Sequence, residues 1–179
     1  MASSRRRALI VDGYNVLRSG SRYKVIKGPD YTDDMFNTAR ERLINDVINF
    51  AGRTYEATIV FDGAGNAYSH AEFQKVGHVS VVFSKSGQSA DRMIEQLAHD
   101  ARERGIETLV VTSDAGIQDA VFGGGVDRMS SEGFCQEVSM YYDEVDEEKH
   151  PEISEKRTVS ERVPADVRAK LERLRESLS

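Results

Sequence analysis

Four short apolar runs in this chain are each followed by an aspartate, and this pattern constrains the fold more than any other feature. The runs lie at residues 8–11, 58–61, 79–83 and 109–111, and each has the length and character of a buried strand. The aspartates that follow them are Asp12, Asp62, Asp91 and Asp114. In a parallel sheet the carboxyl ends of the strands meet at one edge, and open α/β sheets bind their ligands there. The pattern therefore predicts that the four carboxylates lie together at one edge.

Segments with helical spacing separate the apolar runs. Helices are predicted at residues 32–52, 90–104 and 131–145, a short helix after Asp114, and a fifth strand at residues 126–129. This alternation predicts an α/β fold, a three-layer α/β/α sandwich with a mostly parallel central sheet. Residues 13–31 are polar, so we expect a loop there. We expect one domain at residues 1–145, then a polar linker and a C-terminal amphipathic helix within residues 146–179, starting near Pro164.

Charge is unevenly distributed along the chain. The net charge is −6, which argues mildly against non-specific binding to nucleic acid, but residues 1–28 are basic. Arg5, Arg6 and Arg7 are expected to form a solvated tail. The candidates for contacts to RNA phosphates are Arg18, Arg22, Lys24 and Lys27, with Lys85 beside the Asp91 loop and with Tyr14 or Tyr23 as stacking platforms. An ordinary charged surface loop explains the first four cations equally well.

Composition limits the compartment and the chemistry. Cys135 is the only cysteine, which favours a reducing compartment, and the four histidines show no paired spacing for zinc. The apolar part of the N-terminal segment is too short for a signal peptide, and no stretch is long enough to span a membrane. We expect a soluble cytoplasmic protein with no membrane partner.

Four carboxylates at one edge would repel one another unless a cation joined them. Asp12, Asp91 and Asp114 make an oxygen-only set that suits Mg²⁺ or Mn²⁺ rather than zinc, and Asp62 completes the set or orients a water. Glu95, one helical turn after Asp91, either joins the site or is a surface acid. A single aspartate after a strand is usually a turn or cap residue. Four such positions in one small domain favour a metal site.

A divalent-metal site of this kind most often serves phosphate chemistry. The triple glycine at residues 123–125 has no Gly-Lys-Ser/Thr after it, and no G-x-G-x-x-G follows the first strand. A P-loop and a dinucleotide-binding site are therefore disfavoured. Asp12 also lacks a second aspartate two residues later, which an aspartyl-phosphate phosphatase would need.

Several motifs in order resemble one known family over nearly the whole chain. Asp12-Gly13-Tyr14-Asn15 after the first strand is similar to the signature of NYN domains, a PIN-like nuclease group. Further motifs resemble the bacterial YacP-like branch: Val60-Phe61-Asp62, Ser89-Ala90-Asp91, Thr112-Ser113-Asp114 and Pro164-Ala165-Asp166-Val167. Gln88 is a departure, because the branch often has Glu there.

The resemblance implies a PIN-like fold and a metal-dependent endoribonuclease. Its acidic site would map onto Asp12, Asp91 and Asp114, with Asp62 nearby and Asn15 positioning the first loop. It also implies messenger RNA on the translating ribosome as substrate, and hence a ribosomal partner. Two alternatives stay open: a non-catalytic RNA- or ribosome-binding module of the same fold, and a DNA nuclease, since no residue visibly reads a 2′-hydroxyl.

Overall fold

The computed structural model describes residues 6–23, 32–63, 73–85 and 88–149. Six strands lie within these residues: β1 (Arg7–Asp12), β2 (Tyr55–Phe61), β3 (Phe73–Val76), β4 (Val79–Phe83), β5 (Thr108–Val111) and β6 (Val126–Met129). The same residues contain five helices: α1 (Gly13–Ser19), α2 (Asp33–Ala51), α3 (Ala90–Glu103), α4 (Ala115–Val121) and α5 (Ser131–Lys149). The alternation predicted from the apolar runs is confirmed.

The strands form one sheet in the order β3-β4-β2-β1-β5-β6. Every neighbouring pair is parallel except β3 and β4, which are antiparallel. In the centre, Asp12 of β1 lies opposite Val60 of β2, and Val11 lies opposite Val111 of β5. The carboxyl ends of β1, β2, β4 and β5 therefore share one edge of the sheet.

Helices cover both faces of this sheet and complete the three layers. On one face, α3 and α4 pack over a buried row formed by Ile10, Val60, Val82 and Val110. Successive side chains of a strand point to opposite faces, so Leu9, Val11 and Ile59 face the other way. There α1 contacts α2 and β2, and α2 also contacts β2 and β4. The predicted α/β/α architecture is confirmed.

Cap residues account for two helix starts that the sequence predicted. Thr32 Oγ1 accepts a hydrogen bond from Met35 N at 3.3 Å at the start of α2. Ser89 Oγ accepts one from Arg92 N at 3.3 Å at the start of α3. Each hydroxyl satisfies a backbone donor that the first turn leaves unpaired. Hydroxyl caps are short-range signals, and for this reason the sequence located these starts well.

The structure corrects two expectations about local structure. The predicted loop at residues 13–31 begins with helix α1, which Asp12 caps and which buries Val16 and Leu17 completely. Seven residues are too few to show helical periodicity. Strand β3 was not expected, because all four of its residues are exposed and give no alternating pattern.

Arg7 was expected in a solvated tail, and that expectation was wrong. Its guanidinium forms ion pairs of 3.1 Å with Glu107 and with Asp127, and it lies 5.4 Å from the centroid of the Tyr55 ring. Tyr55 begins β2, Glu107 directly precedes β5 and Asp127 lies in β6, so these partners lie near the amino ends of the strands. Arg7 therefore begins β1 rather than preceding it.

Contacts between residues divide the chain after Met140. Helix α5 continues to Lys149, four residues beyond its predicted end. The linker and the helix predicted near Pro164 lie outside the described residues, so the domain assignment stays a prediction. No helix in the described part of the chain is long and apolar enough to cross a bilayer.

Candidate functional site

A cavity of about 460 Å³ at the carboxyl edge of the sheet brings together the four predicted aspartates. Asp12, Asp62, Asp91 and Asp114 all line it, and its other lining residues are Tyr14, Asn15, Arg18, Phe36 and Ala90. The edge lies where the strand order changes direction, with β2 on one side of β1 and β5 on the other. Open α/β sheets bind ligands at such a position. The expected convergence of the four strand ends on one cavity is thus observed.

Asp12 is the most buried of the four acids. It ends β1 and caps α1, and the residue is only 6% exposed. Its Oδ1 accepts a hydrogen bond from Asn15 N at 3.2 Å, and its Oδ2 accepts one from Thr112 Oγ1 at 3.0 Å. Burial raises the pKa of Asp12, the two hydrogen bonds oppose this, and the charges of Asp91 and Asp114 raise the pKa further. The carboxylate is held firmly in a place that is unfavourable to its charge.

Asp114 reaches the same cavity from β5. It caps α4, because its Oδ1 accepts a hydrogen bond from Ile117 N at 3.1 Å. Its own backbone N donates to Thr112 Oγ1 at 3.1 Å. Thr112 is fully buried and thus connects Asp12 to Asp114 through one hydroxyl. Thr112 was not among the predicted site residues, although its place between a strand end and Asp114 is visible in the sequence.

Asp91 lies in the first turn of α3, just after the capping Ser89. Acidic residues are favoured in the first turn because the helix dipole is positive there. Within the described residues, no lysine, arginine or histidine forms an ion pair with Asp12, Asp91 or Asp114. In that part of the chain, the negative charge of these three acids is not neutralised by basic partners.

Asp62 follows β2 and is half-buried. Ser84 Oγ donates to Asp62 Oδ1 at 3.2 Å and accepts a hydrogen bond from Gly63 N at 3.0 Å. Ser84 is fully buried directly after β4, on the neighbouring strand. It therefore orients Asp62 in the way that Thr112 orients Asp12. Sequence reasoning also missed Ser84, whose signal was its place immediately after an apolar strand.

Asn15 connects three segments around the cavity. Its side-chain Oδ1 accepts a hydrogen bond from Ser113 N at 2.7 Å and another from Ser131 Oγ at 2.7 Å. The first contact reaches the loop that carries Asp114, and the second reaches the start of α5. These contacts join helix α1, which carries Asn15, to the loop after β5 and to the start of α5.

Of the predicted residues Arg18, Glu95 and Lys85, Arg18 lines the cavity and the other two do not. Arg18 lines the cavity with its guanidinium 5.7 Å from the centroid of the Tyr14 ring. Glu95 is exposed on α3 outside the cavity lining, and Lys85 is exposed just beyond β4. Lys24 and Lys27 lie outside the described residues. The roles predicted for these residues stay predictions.

Arg22 has a different environment from the one expected for an RNA contact. Its Nε lies 2.7 Å from Oδ2 of Asp46, whose side chain is 2% exposed. The hydroxyl of Tyr23 donates to the same Oδ2 at 2.7 Å. Both residues join the segment after α1 to α2. We therefore assign Arg22 and Tyr23 to this buried network rather than to an RNA contact.

The donor set can be compared with what a metal ion requires. Among the described residues, no three acidic or imidazole groups lie close enough to form a ready-made set of ligands around one ion. The side chains thus converge on one cavity but less tightly than the sequence analysis expected. Hydrated Mg²⁺ commonly binds through one or two carboxylates and keeps several waters. Carboxylates alone, in a cavity of this size, fit Mg²⁺ or Mn²⁺ better than zinc.

Comparison with known proteins gives a consistent result. The family model of the YacP-like NYN domain matches residues 9–176. The Bacillus subtilis (strain 168) protein named "Uncharacterized protein YacP" is 32% identical over 130 residues, which are 73% of this chain and 74% of that protein. The crystal structure of Rae1 (YacP) from Bacillus subtilis superposes with a TM-score of 0.63 at 28% identity, covering 94% of each chain. A tryptophan-to-leucine mutant of the same protein gives a TM-score of 0.64 at 26% identity, covering 94% of this chain and 99% of the mutant.

Proposed function

We propose, because this chain belongs to the YacP-like NYN domain family, that it is a divalent-metal-dependent endoribonuclease that hydrolyses RNA phosphodiester bonds. The family and the PIN-like fold point to a nuclease-type, RNA-related function. The observation that supports the specific activity is the cavity itself. Four carboxylates line it, and three of them have no basic partner among the described residues.

Asp12, Asp91 and Asp114 would hold a hydrated Mg²⁺ or Mn²⁺ ion in this proposal, in part through its waters, with Asp62 beside them. When bound, the ion supplies positive charge that offsets the negative charge of the phosphodiester and favours ionisation of a water. Unpaired carboxylates would repel an RNA backbone, so a protein that only bound RNA would gain nothing from them. The carboxylates without basic partners among the described residues therefore favour an enzyme over a binding module.

The side chains of the protein would perform the remaining tasks. Arg18 would hold a phosphate at the cavity, and Lys85 would hold another phosphate further along the RNA. Thr112 and Asn15 keep the Asp12 carboxylate in a single orientation. Asp62, held at Oδ1 by Ser84, would orient the attacking water through its carboxylate. In-line attack by that water on the phosphorus would break the P–O3′ bond, and protonation of the departing oxygen by solvent would leave a 3′-hydroxyl opposite a 5′-phosphate.

The natural substrate would be narrower than RNA in general. We propose messenger RNA on the translating ribosome, with the ribosome as partner, on the strength of the family resemblance. Co-sedimentation of the purified chain with ribosomes tests this part. Recovery of the chain only in the ribosome-free fraction would contradict it and would leave the nuclease proposal in place.

Cleavage of labelled oligomers tests the activity. Purified wild-type chain would be incubated with single-stranded RNA and DNA of the same sequence, in EDTA and then with Mg²⁺ or Mn²⁺. We expect metal-dependent cleavage of RNA that leaves a 5′-phosphate, and a rate at least ~100-fold lower for Asp91→Asn or Asp114→Asn, as for the loss of other electrostatic groups in active sites. Asp119→Asn is the matched control, because Asp119 is an exposed acid of α4 outside the cavity lining.

Each contrary outcome has a distinct meaning. RNA binding without cleavage, on naked RNA and on ribosomes, would make the chain a binding module. Cleavage of DNA alone would make it a DNA nuclease. An equal loss of activity in Asp119→Asn would show that the acids of the cavity have no special role.

A further inference from the structure

One wall of the acidic cavity is aromatic, and the proposed hydrolysis does not use it. Tyr14 and Phe36 both line the cavity, and their ring centroids lie 5.2 Å apart with an interplanar angle of 34°. Both rings are half-buried. Arg18, which also lines the cavity, holds its guanidinium 5.7 Å from the centroid of Tyr14. Aromatic rings and a cation thus share the cavity with the carboxylates.

The aromatic wall is built into the fold. Tyr14 packs edge-on against the fully buried Phe61 at 5.2 Å, and Phe61 stacks on Phe83 at 5.4 Å. At Gly13, which begins α1, a Cβ would overlap the Phe61 ring. The backbone before Tyr14 therefore lies directly on Phe61, and no larger residue fits without displacing that ring. This packing holds the Tyr14 ring rigidly beside the acids.

Phe36 is the less expected member of the wall. In the sequence, Phe36 recurs at helical spacing with Leu43 and Val47, and this pattern favours the apolar side of α2, where Leu43 and Val47 are fully buried. The structure instead places Phe36 in the lining of a cavity whose other members are mostly polar. Burial of the remaining apolar surface of such a ring is favourable, and a flat apolar ligand that stacks on the ring buries most of that surface.

We propose that Phe36 and Tyr14 form a stacking site for one unpaired nucleobase, with Arg18 at the adjoining phosphate. The proposal rests on the proposed function and narrows its substrate to single-stranded nucleic acid. Bases within a duplex are already stacked and cannot present a face to a protein ring, whereas an unpaired base stacks readily on aromatic side chains. The cavity volume of about 460 Å³ lies within the ~300–1,000 Å³ usual for small-ligand sites.

Binding measured without cleavage separates this site from the chemistry. Fluorescence anisotropy of a labelled single-stranded RNA would be followed in EDTA at low salt, with wild type, Phe36→Leu and Phe36→Tyr. Loss of one base stack weakens binding about 5- to 150-fold, so we expect this loss in Phe36→Leu and wild-type affinity in Phe36→Tyr.

The matched control is Phe122→Leu. Phe122 is 64% exposed and has the guanidinium of Arg128 4.3 Å from its ring centroid, but it lies outside the cavity lining. It is therefore another aromatic ring paired with an arginine, without the acidic neighbours. We expect Phe122→Leu to bind RNA as wild type does.

Changes to the RNA itself provide a second test. An abasic position moved along the RNA should weaken binding to wild type at one place only, and that loss should vanish in Phe36→Leu. Duplex RNA should bind more weakly than the single strand. Single-stranded DNA of the same sequence tells whether the base alone is recognised or whether the 2′-hydroxyl contributes.

Several results would overturn the stacking site: no oligomer binds, no abasic position matters, or Phe36→Leu and Phe122→Leu have equal effects. Cleavage of RNA by Phe36→Leu at the wild-type rate would contradict the stacking site and would be consistent with the proposed nuclease. If RNA binding depends on Phe36 but no RNA is cleaved in Mg²⁺ or Mn²⁺, the stacking site is supported and the proposed nuclease activity is contradicted. Thermal unfolding of each variant shows whether a loss of binding reflects a loss of fold.

Discussion

The hydroxyl of Thr112 donates a hydrogen bond of 3.0 Å to Oδ2 of Asp12, although the two residues are 100 positions apart in the chain. The hydroxyl oxygen of Thr112 itself accepts a hydrogen bond of 3.1 Å from the backbone N of Asp114. The buried hydroxyl of Thr112 therefore connects two of the proposed metal ligands, Asp12 and Asp114, through hydrogen bonds between neighbouring strands. Its removal should disturb both the stability and the electrostatics of the site.

Thr112→Val keeps the shape of the side chain but removes the donor to Asp12. We expect the free energy of unfolding to fall by about 1–3 kcal/mol, because a buried carboxylate oxygen loses its partner. The pKa of Asp12 should rise further, since this hydrogen bond lowers it. Urea denaturation and NMR titration of Asp12 measure the two effects. Thr38→Val is the control, because Thr38 Oγ1 donates to Asp34 O on an exposed helix surface, and equal losses in the two variants would contradict the prediction.

Asp12→Asn should stabilise the protein at neutral pH. The folded state raises the pKa of Asp12, first by burial, so it binds this proton more tightly than the unfolded chain does. The contribution of Asp12 to stability therefore falls as the pH rises from the usual carboxyl range through the raised pKa, by about 1.4 kcal/mol per unit of pKa difference.

The advantage of Asp12→Asn should accordingly be largest at neutral pH and should shrink as the pH is lowered through the raised pKa. Thermal unfolding of both proteins between pH 4 and 8, on the order of one pH unit per step, follows it. Addition of Mn²⁺ at neutral pH should stabilise wild type more than the variant. A variant that is less stable than wild type at every pH would contradict the burial argument.

Replacement of Arg18 and Lys85 with alanine should weaken RNA binding and flatten its dependence on salt. Each lost phosphate contact should reduce the slope of log K against log salt by about 0.7 for a single strand. Binding titrations at several salt concentrations in EDTA measure the slope. Arg53→Ala is the control, because Arg53 is exposed in the turn between α2 and β2, at the opposite edge of the sheet. An unaltered slope in the double variant would place the RNA elsewhere.

Arg22→Met should destabilise the fold by about 3–5 kcal/mol, because it leaves the buried Asp46 carboxylate without its cation. Burial and the Asp46 charge raise the pKa of Tyr23, so its hydroxyl remains a donor but cannot replace the charge. Asp46→Asn added to Arg22→Met should recover part of the loss. Arg128→Met, which breaks the exposed pair with Asp119, should cost at most about 1 kcal/mol by urea denaturation. Equal losses for both arginines would contradict the assigned burial.

The residues found by sequence reasoning share a short-range signal. Asp12, Asp62 and Asp114 each end or closely follow an apolar run, and Asp91 follows a hydroxyl cap. A parallel sheet turns those local patterns into one shared edge. Helix α1 and strand β3 were missed because seven residues cannot show a helical period and an exposed strand has no apolar alternation.

The amino-acid sequence by itself determined the alternation of strands and helices, the parallel sheet and the identity of the acids at its edge. Local periodicity, caps and apolar runs contain that information, because each depends on residues close together in the chain. Only the tertiary structure decided which side chains orient those acids, that Arg22 pairs with Asp46, and that Phe36 lines the cavity. These relations depend on which strands and helices become neighbours, and contacts between residues as distant as Asp12 and Thr112 leave no periodic trace in a single sequence.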